Sequence, residues 1–275
     1  MRADGWHTTE DVDTFLAAAG DFLRSRPALH TMPLTVVERL RAHGADGTVL
    51  GWLERGGEVG AIFHRRPTRR LSPGLSSPEQ ADALAAHLAG LGLPLAGVTG
   101  VHDTATAFAR AWHRRTGAAP VPGVAVRLHR LGALTPPGPV PEGRAAGPRD
   151  HGQVVRWCGE FNTAVGGAPI DSWADSSFAN KEFTFWETPD GTPVSMAGST
   201  RVIAGMARVD PVYTPEPFRG RGYAGAVTVE VSRAALAAGA TDVVLFTDPG
   251  NPTSNALYRR IGYVPLAEFG SYDFA

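Results

Sequence analysis

Between residues 132 and 150 the chain reads GALTPPGPVPEGRAAGPRD, and its five prolines and four glycines limit how everything around it can fold. Proline has no amide to give to a helix interior or a central strand, and glycine loses more backbone freedom on folding than any other residue. The stretch therefore predicts a linker or a long surface crossing. It separates residues 1–134 from residues 135–275, and each part is large enough to bury a core of its own.

The two parts repeat one order of elements. In the second, a helix is expected over 151–165, where Val154, Val155, Cys158 and Phe161 recur at helical spacing. Strands follow at 181–187 and 193–200, and a longer one at 203–214 is interrupted by Pro211. A helix from 222 to 238 stops at Gly239, a buried strand covers 242–247, and Asn251 caps a short helix with Pro252 in its first turn. A strand at 263–269 closes the part. The first part offers a strand pair at 47–54 and 58–66, a helix at 77–90 and a strand at 93–100. A helix from an Asp103 cap to Gly117 and a strand at 124–131 complete it. The order β-α-β-α-β thus recurs with scarcely any residue identity, which predicts a structural repeat of class α/β, an α+β mixed sheet.

Composition excludes several functions. With 43% hydrophobic and 19% charged residues, and no apolar run near the ~18 residues of a membrane span, the chain reads as a soluble protein with no membrane partner. The acidic start MRADGWHTTEDVDTF has no apolar signal core, so a cytoplasmic location is expected. A formal net charge of -1 gives no global attraction to nucleic acid. Cys158 is the one cysteine, and the nine histidines lack the paired spacing of metal ligands, so no metal is expected. No G-x-S-x-G elbow is present either.

The stretch VYTPEPFRGRGYAGAV, residues 212–227, carries the chemistry. A strand end, two glycines and two arginines lead into a small-residue helix. Free amides and the positive end of a helix dipole face outward at such a place, ready for an anion. Gly220 and Gly222 permit left-handed backbone and close approach of a ligand, and Arg219 and Arg221 add charge. A tight turn with solvated arginines is the plainer reading. No Gly-Lys-Ser/Thr follows, which excludes a Walker A loop, and no third glycine completes a dinucleotide fingerprint. Just upstream, Pro211 predicts a bulge or a lost partner, which would leave the backbone of Val212, Tyr213 and Thr214 open to an extended amide-bearing arm.

Arg219 to Ala224, R-G-R-G-Y-A, resembles the Q/R-x-x-G-x-G/A signature of the GNAT superfamily of acyl-CoA-dependent N-acetyltransferases. The run NPTSNALYRRIGY, residues 251–263, resembles that family's second motif, with Asn251, Tyr258, Gly262 and Tyr263 in register. The similarity covers about 150–269, and the first part resembles a degenerate second copy, as in tandem GNAT proteins. The resemblance implies direct transfer of an acetyl group from acetyl-CoA to a primary amine on a small molecule or peptide. It implies that Arg219, Gly220, Arg221, Gly222, Tyr223 and Ala224 hold the pyrophosphate, and that Val212, Tyr213 and Thr214 line the pantetheine arm. A backbone N–H, nearest at Val212, would face the thioester oxygen. Tyr258 matches the tyrosine that protonates the departing thiolate and also borders the cofactor. Asn251 and, one helical turn on, Asn255 are further cofactor contacts. For the base, Asp210, Glu187, Glu182 or water all stay open. Phe161, Trp173, Phe178, Phe183, Phe185 and Trp186 form either an acceptor wall or core. A non-catalytic acyl-CoA-binding or sensing protein is the alternative. The arginines at 65, 66, 69 and 70 read as a solvated basic loop or a remnant phosphate patch, and without an R-G-x-G element the first part is not expected to bind acyl-CoA in the same way.

Overall fold

The computed structural model describes residues 4–44, 46–136, 143–167, 169–174 and 176–275. Part of the proline-rich seam, residues 137–142, lies outside them. The chain forms two units, one of Met1–Leu128 with Leu266–Ala275, the other of His129–Pro265. Packing thus divides the chain a few residues before the seam and returns the chain from Leu266 on, most of its last strand, to the first unit. No single cut along the sequence, such as 134/135, expresses that division.

Along the chain the elements are β1 (Gly5–Thr9), α1 (Val12–Ser25), α2 (Thr31–His43), β2 (Val49–Arg55), β3 (Glu58–Arg65), β4 (Ser72–Gly74), α3 (Pro78–Gly90), β5 (Gly97–Val101), α4 (His102–Thr116) and β6 (Pro120–Leu131). The second run is β7 (Arg144–Ala145), α5 (His151–Ala164), β8 (Glu182–Glu187), β9 (Pro193–Ser199), β10 (Met206–Tyr213), α6 (Tyr223–Ala237), β11 (Asp242–Thr247), α7 (Pro252–Arg260) and β12 (Tyr263–Phe274). Both runs read strand, helix, three strands, helix, strand, helix, strand, except that α2 has no counterpart in the second. The fold is mixed α/β, as expected. Asp103 does not cap α4: the cap position is Val101, and Asp103 lies in the first helical turn.

In the first unit β1 to β4 pair in order, all antiparallel. The end of β12 pairs antiparallel with β5, from Phe269 opposite Val101 to Asp273 opposite Gly97. Leu84, Leu88, Phe108 and Trp112 of α3 and α4 pack with Leu53 and Phe63 in its core. The basic run is not a free patch. Arg65 donates to the Pro94 carbonyl at 3.0 Å, Arg66 pairs with Asp46, and Arg70 grips both oxygens of Asp273 at 2.7 and 2.9 Å.

In the second unit the strands run β11-β10-β9-β8-β7. Pairing is antiparallel from β7 to β10 and parallel between β10 and β11. One core cluster joins α6 and α7 to Ala197, Ala207 and Val209, and another joins Val154, Trp157 and Cys158 of α5 to Phe183, Phe185 and Met196. Trp157 takes the inward position at which Val155 was expected, because Val155 is only half-buried.

Candidate active site

Pro211 acts as its chemistry requires. Val209 faces Ser199 and Val212 faces Ala197, so β10 spends one residue more than β9 over the same span, a β-bulge at Asp210 and Pro211. An extra residue reverses the alternation. Ala207 and Val209 point into the α6 side before the bulge, and Val212 does so after it, while Tyr213 turns to the α5 side. Gly198 makes the bulge possible, because a Cβ there would stand 2.9 Å from the Asp210 carbonyl and 3.0 Å from Pro211 Cδ.

The strand parts from β11, not from β9. β10 and β11 pair only from Met206 opposite Asp242 to Arg208 opposite Val244, although β11 runs on to Thr247. A crevice therefore opens at the carboxyl ends of two parallel strands, where α/β sheets bind ligands. Two backbone groups expected to be open there are not: the Tyr213 carbonyl accepts from Ser195 Oγ at 3.1 Å and the Thr214 carbonyl from Arg219 Nε at 3.0 Å.

Past the strand end, Gly220 and Gly222 both have left-handed backbone, with φ of 76° and 82°. Gly222 occupies the N-cap of α6 and offers no side chain, and Ala226 is the first residue to donate into the helix, to the Gly222 carbonyl at 3.0 Å. The amides from Gly220 to Gly225 have no acceptor among the described residues. With the helix dipole behind them they form a cradle for an anion. Arg221 is exposed and makes no ion pair among the described residues. Tyr223 and Ala224 open the helix, half-buried, with their amides in the cradle. The matching helix start in the first unit is closed: Ser77 Oγ accepts from the Gln80 amide at 3.3 Å, Gln80 Oε1 accepts from the Ser76 amide at 2.7 Å, and Pro78 has no N–H.

The other side of the crevice is α7. Asn251 caps it, its Oδ1 accepting from the Ser254 amide at 3.0 Å, and its Nδ2 is unused among the described residues. Asn255 is spent internally. It is 5% exposed, its Oδ1 accepts from Thr247 at 2.8 Å, and its Nδ2 donates to the Asp248 and Asn251 carbonyls at 2.8 and 2.7 Å. It holds the turn, with both polar atoms of its side chain engaged there. Tyr258 is 8% exposed, and its hydroxyl has no hydrogen-bond partner among the described residues. Burial, and then the charge of Asp210, push its phenol well above the usual tyrosine range, so it stays protonated.

Of the candidate bases, Glu187 is ion-paired. It accepts from Arg144 Nε at 2.8 Å, and the same guanidinium holds Asp150 at 2.6 Å and lies over the Phe185 ring. Glu182 is exposed and pairs with Arg201 at 3.3 Å. Asp210 lies at the bulge with its side chain 33% exposed, and its Oδ2 accepts from Lys181, a residue the sequence reading passed over. Burial drives its carboxyl up, but Lys181 and then Arg208 outweigh burial and hold it below the usual carboxylate range. Its Oδ1 has no partner among the described residues. The aromatic set is core: Phe178, Phe183 and Phe185 are buried, Phe161 and Trp173 pack on the same cluster, and Trp186 packs on the other. Among the described residues there is no group of metal-ligating side chains, and no helix is long and apolar enough to cross a membrane.

Residues 200–269 match the family described as FR47-like protein. Similar solved structures include a GCN5-related N-acetyltransferase from Sphaerobacter thermophilus, 20% identical, covering 99% of this chain and 96% of that one with a TM-score of 0.59. A GNAT-family acetyltransferase from Colwellia psychrerythraea is 13% identical over 98% and 99% of the two chains, with a TM-score of 0.60. A tandem GNAT protein from the clavulanic acid biosynthesis pathway is 12% identical over 97% of each, also at 0.60. No curated protein matches the sequence. The chain has the fold of the GCN5-related N-acetyltransferases, and its FR47-like segment carries the bulge, the amide cradle and Tyr258.

Proposed function

We propose that the second unit is an acyltransferase that moves an acetyl group from acetyl-CoA to a primary amine of a small molecule or peptide. The observation that carries this reading is the run of unused amides from Gly220 to Gly225 beside the parted strands β10 and β11. The amides suit a pyrophosphate, and the crevice suits an amide-bearing arm that ends on a thioester. The N-acetyltransferases that share the fold support the same chemistry. In the reaction the amine nitrogen bonds to the thioester carbon, the carbonyl becomes an oxyanion facing the Val212 amide, and the carbon–sulfur bond breaks. The thiolate takes the Tyr258 phenol proton, which solvent restores, and the acceptor's extra proton leaves through Asp210 or water.

A free, protonated phenol beside the crevice favours turnover over mere binding. The test is thiol release from acetyl-CoA in the presence of lysine methyl ester, spermidine, kanamycin and short peptides with free N-termini. Release with at least one amine is expected. Saturable acetyl-CoA binding without release on any of them would favour the non-catalytic, sensing alternative.

A further inference from the structure

We propose that Lys181 is a positioning residue for Asp210, taking one carboxylate oxygen so that the other is presented, ionised, to the nitrogen of the acceptor. This rests on the acyl-transfer reading above and adds to it a residue outside both motifs. Four features converge on that carboxylate. The bulge turns Asp210 out of the strand's regular alternation. Gly198 clears the space its backbone occupies. The Lys181 side chain is 2% exposed, so its ammonium has no water to satisfy it and must be matched from within. It is matched twice, by Asp210 Oδ2 and by the Phe178 ring 4.9 Å away. The Lys181 amide also donates to the Phe178 carbonyl at 3.1 Å, so ring and ammonium are set by one turn.

The remaining groups around Asp210 leave Lys181 in charge of it. Arg208 on β10 is buried and adds a second positive charge. Cys158 on α5 is buried, its thiol pushed up to about 12 by burial against the pull of Lys181, so it stays neutral. Tyr258 on α7 is neutral for the same chief reason. Among the described residues, the charges that act on the Asp210 carboxyl are the cations Lys181 and Arg208. Its Oδ1, without a partner among the described residues, is an acceptor for an N–H at the crevice.

The experiment is a pH titration of aspartate carboxyl carbons in protein labelled with 13C-aspartate, with Asp210 assigned by its loss in D210N. In the wild type its midpoint should fall below the ordinary aspartate value. A midpoint at or above that value overturns the proposal without any variant. In K181Q, burial remains with only Arg208 against it, so the midpoint should rise by about one to three pH units. K181R should restore it. An unmoved midpoint in folded K181Q overturns the proposal and leaves acyl transfer standing. For any amine active in the thiol-release assay, the acid limb of kcat/KM should move up in step with the carboxyl. Absence of release in the wild type counts against acyl transfer, and the carboxyl titration still decides the role of Lys181.

Discussion

Tyr258 is one side chain with two environments. Its ring packs against Tyr263 at 6.0 Å and belongs to the core, while its hydroxyl finds no partner among the described residues. Buried phenols ordinarily bond to something, so an unused one beside a crevice is suited to a ligand. Tyr258→Phe should lower kcat by about 100-fold or more. CoA affinity should change by no more than one hydrogen bond, about 1 kcal/mol. Turnover equal to wild type would remove the hydroxyl from the chemistry. The pair Gly220 and Gly222 and the Asn251 cap were legible in the sequence because each depends on its immediate neighbours, whereas Tyr258 was singled out only by the motif it resembles. Lys181 and Arg144 were not, because their carboxylate partners lie 29 and 43 residues away along the chain. Nothing local distinguished a buried lysine from a strand-end charge. Those two contacts sort the acidic candidates, leaving Asp210 in the crevice and Glu187 in an ion-pair network.

At the scale of elements, the bulge in β10 links proline to function. Pro211 announces an irregular strand, since it has no amide for a ladder. The side on which the strand parts is a property of its neighbours, and only pairing with β9 through Val212 and Tyr213 reveals that β11 is the strand left behind. The cost of keeping the bulge falls on β9. Gly198→Ala would place a methyl 2.9 Å from both the Asp210 carbonyl and Phe183 Cε1, contacts that backbone and a buried ring cannot relieve cheaply. The substitution should destabilise the protein by about 1–3 kcal/mol in urea denaturation. It should also raise the KM for the amine, because Asp210 moves with the bulge. Wild-type stability in the alanine variant would show that Gly198 is not what accommodates the bulge.

On the scale of the whole molecule, one order of elements is used twice with different ends to the same helix. The repeat was legible because hydrophobic periodicity and turn residues survive when identity is lost. The return of Leu266–Ala275 to the first unit was not, since strand pairing between distant segments leaves no local mark. What separates the two copies chemically is the helix start after the fourth strand of each repeat. In the first unit Ser77 Oγ takes the Gln80 amide, Pro78 has none, Gln80 Oε1 takes the Ser76 amide, and Arg65, Arg66 and Arg70 nearby are bonded within the unit. In the second, the amides from Gly220 to Gly225 have no acceptor among the described residues. Calorimetric titration of the full chain with CoA tests this directly. One site per chain is expected, and Gly222→Val should weaken it about tenfold or more, because a β-branched residue resists the left-handed φ of 82° that the cradle requires. Two sites per chain, or unchanged affinity in the valine variant, would contradict the assignment of the cradle to CoA.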